Sequence, residues 1–171
     1  VALNAKTGER YADFGDGGQV DLTQGFERPV QGWRWTSGPI VVRDVVVVAG
    51  VPAPATDVLN ESQLAPKVMP PDDVRGYDVR TGKQLWTFHV VPRAGEPGHD
   101  TWLENSWTYS GNSGSWTLLG ADEELGYVYL PTEEATGDYY GGTRPGNNLY
   151  AESIVALDAA TGKRVWHFQT L

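Results

Sequence analysis

The sequence predicts an all-β protein built from repeated units in a stack or a ring, as in a β-propeller. An eleven-residue phrase occurs at residues 76–86 (GYDVRTGKQLW) and again at residues 156–166 (ALDAATGKRVW), with a worn third copy at residues 2–12. Repeats of this kind are typical of stacked or circular architectures. The composition agrees, because 171 residues with 21 Gly, 11 Pro, 7 Trp and 8 Tyr suit one body with many turns and large aromatic side chains.

Each copy of the phrase predicts a strand, a tight turn and a second strand. Asp78 and Asp158 are placed to accept hydrogen bonds from the turn backbone, and Gly82 and Gly162 are free to adopt the positive φ that closes the turn. The repeated glycines lie roughly 75 to 80 residues apart, whereas a bare four-stranded blade needs about 40 to 50 residues. We therefore expect insertion loops at about residues 51–73, 92–114 and 131–150.

Apolar patterning predicts the remaining strands. Residues 40–48 (IVVRDVVVV) indicate a buried hairpin around an Arg-Asp turn, since consecutive Val residues are typical of strands covered on both faces. Residues 76–91 contain the next hairpin. Residues 116–119 and 127–130 are predicted to pair around a DEELG turn.

Charge and residue types exclude several function classes. A net charge of −9 without a basic run argues against binding to nucleic acid, and the lack of cysteine removes disulfides and thiolate metal sites. The three histidines lack the spacing of a zinc site. The acid pairs at 72–73, 123–124 and 133–134 are interpreted as turn and surface charge, because neighbouring strand residues face opposite ways and cannot flank one glycosidic bond.

The repeated phrase resembles the tryptophan-docking motif of the quinoprotein dehydrogenases, which are eight-bladed β-propellers that use pyrroloquinoline quinone (PQQ). Four further stretches resemble the glucose dehydrogenase branch of that family: residues 13–23 (DFGDGGQVDLT), 74–82 (VRGYDVRTG), 122–131 (DEELGYVYLP) and 138–142 (DYYGG). The resemblance implies that residues 1–171 form roughly two to three blades of a single propeller domain, truncated at both ends.

The same resemblance implies a cofactor site. A family Trp that stacks on one face of PQQ matches Trp116, although the residues alone also allow Trp116 to be core packing like Trp86. Asp57 matches a cofactor-side Asp, or is an ordinary turn residue. Thr136, with Glu134 beside it, matches the loop that holds Ca²⁺ (or Mg²⁺) against the quinone, or else Glu134 is a solvated loop charge.

The implied activity is oxidation of a glucose-like sugar or an alcohol, with hydride transfer to the quinone and assistance from the metal. The family's catalytic Asp lies in a segment that would follow Leu171, so no catalytic residue is assigned here and the segment alone is expected to be inactive. The resemblance also implies a periplasmic location and ubiquinone or a cytochrome as electron acceptor. Two alternatives stay open: a non-catalytic propeller scaffold of the outer-membrane assembly type, and a quinoprotein alcohol dehydrogenase.

Overall fold

The computed structural model describes residues 1–28, 30–34, 38–54, 68–136 and 140–171, with the backbone alone described at 31–34 and 51–54. Within these ranges the helices are short 3₁₀ segments, and no helix is long and apolar enough to cross a bilayer. The strands in chain order are β1 (Val30–Arg34), β2 (Ile40–Val42), β3 (Val45–Val48), β4 (Val51–Pro54), β5 (Val74–Asp78), β6 (Gln84–Phe88), β7 (Gly120–Asp122), β8 (Tyr127–Pro131), β9 (Ser153–Asp158) and β10 (Arg164–Gln169).

Two four-stranded antiparallel meanders make up most of the described chain. One sheet has the strand order β2-β3-β5-β6 and the other has the order β7-β8-β9-β10. Strands β2 and β7 are in contact, so the first strands of the two sheets lie side by side. The predicted all-β architecture of a propeller segment is confirmed with two four-stranded sheets, and the hairpins at residues 40–48 and 76–91 are confirmed with it.

The core lies between the two sheets and follows from the alternation of their strands. Inward positions carry small and branched apolar side chains, which fill the space between antiparallel sheets without strain. The fully buried members include Val42, Val47, Val74, Val128, Leu130, Val155 and Leu157.

The Asp-Thr-Gly turns have the predicted geometry. The Oδ1 atom of Asp78 accepts hydrogen bonds from the Thr81 backbone N–H at 2.7 Å and from the Thr81 hydroxyl at 2.8 Å. Asp158 makes the same pair of bonds in the second sheet. Gly82 and Gly162 have φ values of +70° and +68°, where a side chain would be strained.

A tryptophan of the first sheet docks onto the turn of the second. The Trp86 ring lies against Gly162 so closely that a Cβ atom there would meet the ring at 2.5 Å. The Trp86 Nε1–H donates to the carbonyl of Ala159 at 2.8 Å, and the side chain is 8% exposed. The repeated phrase is therefore a device for locking neighbouring blades together.

The worn third copy uses a different aromatic residue for the same purpose. Residues 2–12 form a turn in which the Gly8 N–H donates to Asn4 O at 2.8 Å, but Ala12 stands at the tryptophan position. Two residues later, the Phe14 ring packs against Gly82, where a Cβ atom would lie 3.0 Å from the ring. Phe14 thus docks the N-terminal repeat onto the first sheet.

Two element boundaries differ from the sequence prediction. The strand predicted at residues 116–119 is wrong, because β7 comprises Gly120–Asp122 and shares no residue with it. The residues before it, 113–115, bond to residues 131–133 through two hydroxyls and one carbonyl instead of forming a regular ladder. The predicted insertion at 51–73 begins with β4, which pairs with β1 in a separate two-stranded sheet. Its two prolines obscure that strand in the sequence, since proline is tolerated in strands only at an edge or a bulge.

Candidate functional site

Two of the long loops meet at one end of the second sheet. In an antiparallel meander, the segment that precedes β7 and the segment between β8 and β9 lie at the same end. The backbone N–H groups of Glu133 and Thr136 donate to the carbonyls of Gly114 and Gly111, at 2.9 and 2.8 Å. Residues 111–116 and 131–136 therefore form one hydrogen-bonded unit, called here the loop platform.

Trp116 ends the first half of the loop platform and is open to solvent. Its side chain is 64% exposed, and it is the most exposed of the tryptophans whose side chains the structure describes. The residue before it is fixed, because the Ser115 hydroxyl donates to Pro131 O at 2.9 Å. A broad indole held by a rigid backbone, with a free face, fits a planar ligand that binds by stacking. This placement differs from that of Trp86, which packs in the core.

Thr136 lies at the far end of the loop platform and is buried. Its hydroxyl accepts a hydrogen bond from the Gly111 N–H and donates one to the Gly111 carbonyl, both at 2.8 Å. Together with the backbone bond between the same two residues, this arrangement ties the two halves of the platform at one point. The hydroxyl predicted as a metal ligand therefore has a structural role in this chain.

Glu134 is bound to an arginine that the sequence did not single out. Its Oε1 atom lies 3.0 Å from the Arg144 Nη1 and also accepts from the Ala135 N–H at 2.9 Å. The Arg144 Nε donates to Thr136 O at 3.2 Å, and its Nη1 donates to Asn148 Oδ1 at 3.0 Å. The structure thus brings Glu134 and Thr136 together, with the guanidinium of Arg144 between them.

The described residues do not fit a calcium site in this arrangement. Calcium takes six to eight oxygen ligands, but the Glu134 carboxylate faces a cation already and the Thr136 hydroxyl is engaged with Gly111. Within the described ranges, no group of three His, Cys, Asp or Glu side chains could hold a metal ion. Asp57, the other predicted site residue, lies outside the described residues.

The interpretation of Asp72 and Asp73 as surface charges is wrong. They are 2% and 5% exposed, because residues 69–73 are covered by the loop that leads to Trp116. Burial raises the pKa of Asp73 to about 6, although the Arg93 guanidinium 3.3 Å away lowers it. Burial and the carboxylates of Glu133 and Asp73 raise the pKa of Asp72 well above its ordinary value. The two prolines before Asp72 are typical of a surface loop, so the sequence gives no indication that the two carboxylates are buried.

Comparisons with known proteins agree with the architecture. Residues 1–171 match the PQQ family model described as glucose/ethanol/alcohol dehydrogenase, β-propeller domain. Quinoprotein glucose dehydrogenase A of Acinetobacter calcoaceticus is 41% identical over 176 residues, which cover 99% of this chain and 20% of that protein. The large subunit of the glycerol dehydrogenase of Gluconobacter oxydans (strain 621H) is 37% identical over 174 residues, which cover 100% of this chain and 22% of that protein.

A solved structure shows the same fold. A quinohemoprotein alcohol dehydrogenase of Pseudomonas putida HK5 superimposes with a TM-score of 0.63 and 26% identity, covering 98% of this chain and 23% of that structure. The chain spans about a fifth of the length of the relatives that it matches. With a family match over its whole length, the chain belongs to the PQQ-dependent glucose, ethanol and alcohol dehydrogenases and forms part of their β-propeller domain.

Proposed function

We propose that this chain contributes part of the cofactor site of a dehydrogenase that oxidises a glucose-like sugar or an alcohol. The observation that carries the proposal is the exposed indole of Trp116, held on the loop platform of a chain that matches the PQQ propeller family from end to end. Relatives named as glucose and glycerol dehydrogenases support a substrate with several hydroxyl groups.

The residues of this chain bind and orient the cofactor in this proposal. When bound, PQQ supplies the quinone that accepts a hydride from the carbon being oxidised. Trp116 stacks on one face of the ring system and excludes water from it, which contributes about 1 kcal/mol beyond the burial of area. The bonds between Thr136 and Gly111 keep the loop platform rigid, so that the indole holds one orientation.

Asp57 remains a second proposed contact on the cofactor side, supported by the family resemblance of its surroundings. We assign no step of the reaction to a metal ion, because Glu134 and Thr136 are committed to Arg144 and Gly111 in this structure. A Ca²⁺ ion at this place would require Glu134 to leave Arg144 and further oxygen ligands from other residues.

No catalytic base is assigned to this chain, and it is expected to be inactive by itself. A general base must lie within hydrogen-bond reach of the substrate hydroxyl, and the resemblance places that Asp in a segment that would follow Leu171. The check is to add PQQ and calcium to the purified 171-residue chain and to follow dye reduction with glucose. Sustained turnover would show that the base is one of these 171 residues.

The proposed activity is tested on the full-length protein that contains this chain. After reconstitution with PQQ and calcium, dye reduction is measured with glucose, glycerol and ethanol in turn. We expect turnover with the highest kcat/KM for glucose. A preference for ethanol would favour the alcohol dehydrogenase alternative, and no turnover with any of the three would favour a scaffold.

We also infer a periplasmic location and transfer of electrons to ubiquinone or a cytochrome, on the support of the family resemblance alone. Replacing the dye with a soluble ubiquinone analogue in the same assay tests the acceptor. Reduction of the analogue at a rate close to that of the dye is the expected result.

A further inference from the structure

Asp72 lies directly behind the backbone that leads to Trp116. Residues 69–73 run beside residues 109–114, and the Asn112 N–H donates to Pro70 O at 3.1 Å. Gly114 rests on Asp72 so closely that a Cβ atom on Gly114 would lie 2.5 Å from the Asp72 Cβ. Because the contact is this close, there is no free space between the Asp72 side chain and the loop platform.

The surroundings of the Asp72 carboxyl group disfavour a negative charge. The residue is 2% exposed, and neither oxygen has a hydrogen-bond partner among the described residues. The nearby Gly114 amide lowers the pKa of Asp72, but burial and the two neighbouring acids raise it by more. Its acidic neighbours are Glu133 of the loop platform and the adjacent Asp73, whose ion-pair partner is Arg93 at 3.3 Å. An isolated buried carboxylate beside two acids takes up a proton.

The basic side chains that the structure describes near this pair interact with Asp73 and not with Asp72. Arg93, His89 and Arg75 lower the pKa of Asp73, whereas the carboxylate of Glu27 raises it. Arg93 itself is shared, because its Nε lies 2.8 Å from a carboxylate oxygen of Glu27. Asp72 therefore differs from Asp73 in lacking a basic side chain in contact with it within the described part of the chain.

Gly114 connects Asp72 to Trp116, because it contacts Asp72 and lies two residues before Trp116 in the chain. On its other side, Gly114 O accepts from the Glu133 N–H at 2.9 Å, so the glycine is held between Asp72 and the second half of the loop platform. The next residue is fixed by the bond from its hydroxyl to Pro131 O. Because Ser115 alone separates Gly114 from Trp116, a movement of Gly114 away from Asp72 pulls on the bond between Ser115 and Pro131 and shifts the backbone that carries the indole.

We propose that Asp72 is a positioning residue for Trp116: Gly114 rests on the Cβ of its side chain, and ionisation of the buried carboxyl group beyond that Cβ displaces the segment that carries the indole. The charged form repels Glu133 and Asp73 and draws in water, which the tight contact with Gly114 cannot accommodate. The effect on PQQ affinity rests on the proposed function, whereas the movement of Trp116 is independent of it.

The experiment follows Trp116 without the cofactor in the full-length protein. The near-UV circular dichroism of Trp116 is isolated as the difference between wild type and Trp116→Phe, from pH 5 to pH 9. We expect this signal to fall in one step as the pH rises. In Asp72→Asn, which keeps the shape of the uncharged acid, the signal should stay constant at its low-pH value. The matched control is Asp100→Asn, an exposed acid of the same loop, which should titrate like wild type.

A second measurement determines the Kd for PQQ by fluorescence quenching over the same pH range. Wild-type affinity should weaken by up to tenfold per pH unit above the transition, and the affinity of Asp72→Asn should change by less than about twofold. A constant Trp116 signal in wild type, or equal titrations in wild type and Asp72→Asn, would overturn the proposal. An Asp72→Asn protein that does not fold would do so too, because the uncharged isostere should fit. A titrating signal without PQQ binding would support the positioning role and contradict the proposed function.

Discussion

Gly162 shows how a single residue fixes the contact between two blades. It adopts a φ of +68°, and a Cβ atom there would lie 2.5 Å from the Trp86 ring. Replacement by alanine should therefore cost about 1 kcal/mol for the backbone and about 1 to 3 kcal/mol for the overlap with the ring. Calorimetric unfolding of the full-length protein measures the effect.

Gly8 provides the matched control for that substitution. Its φ is +75° but no atom lies within 4 Å of the added Cβ, so Gly8→Ala should cost the backbone term alone, about 1 kcal/mol. Equal losses at the two glycines would contradict the docking of Trp86 on Gly162.

Thr136 offers a test that separates a structural role from metal binding. Thr136→Val keeps the shape but leaves the Gly111 N–H without its hydroxyl partner, which should cost about 1 to 3 kcal/mol of stability. Thr136→Ser keeps the hydroxyl and should lose less than about 1.5 kcal/mol. Both are measured by urea unfolding after removal of calcium with a chelator. A Thr136→Val protein as stable as wild type without calcium would show that the hydroxyl matters only as a metal ligand.

At individual residues, the sequence predicted turn chemistry better than burial. Asp78 and Gly82 behave as expected, because their roles depend on bonds and φ values within a few residues. Asp72 was misinterpreted because its burial comes from a loop about forty residues away in the chain. No local pattern indicates which loop will cover a carboxylate.

Among the strands, the contact of Trp86 joins β6 to the turn between β9 and β10. Trp86→Phe removes the bond to Ala159 O, leaves that buried carbonyl without the indole donor and reduces the packed volume, so we expect a loss of about 2 to 4 kcal/mol. Thermal unfolding of the full-length protein gives the measurement.

Trp107 is the control for the loss of an indole N–H. Its Nε1 is buried and has no hydrogen-bond partner among the described residues, so Trp107→Phe removes no bond. The Phe variant at Trp107 should lose less stability than the Phe variant at Trp86. The opposite order would contradict the account of blade locking.

The sequence predicted whole hairpins more reliably than isolated strands. The hairpins at residues 40–48 and 76–91 are predicted correctly because valine runs and the Asp-Thr-Gly phrase carry a strong local signal. Strand β4 was missed because its pairing with β1 is remote in sequence and its prolines are unfavourable in most strands. The strand predicted at residues 116–119 lies at 120–122 instead, because the residues before it use hydroxyl bonds to Pro131 and Glu133, which no local pattern indicates.

For the molecule as a whole, the repeated phrase predicts a stacked or circular architecture, and its resemblance to the tryptophan-docking motif implies a propeller. The candidate site could be predicted only in part. Trp116 and Thr136 are found on one loop platform, but the pairing of Glu134 with Arg144 depends on the path of two long loops, which no short motif encodes. The match to the PQQ family over residues 1–171 agrees with this architecture.

The second sheet also presents an aromatic face to solvent in this chain. Ile154, Trp166 and Phe168 are all more than 40% exposed, and Trp166 stands at the position that Trp86 occupies in the first sheet. A further blade docked in the same way would cover this face.

The proposed stacking of PQQ on Trp116 is tested by the affinity of the full-length apo-protein for PQQ. Titration calorimetry should show that Trp116→Ala weakens binding at least about tenfold, since the variant loses both aromatic stacking and buried area. Leu118→Ala, which changes an apolar side chain that is 75% exposed two residues away, should bind PQQ like wild type. A Trp116→Ala protein that binds PQQ as tightly as wild type would contradict the account.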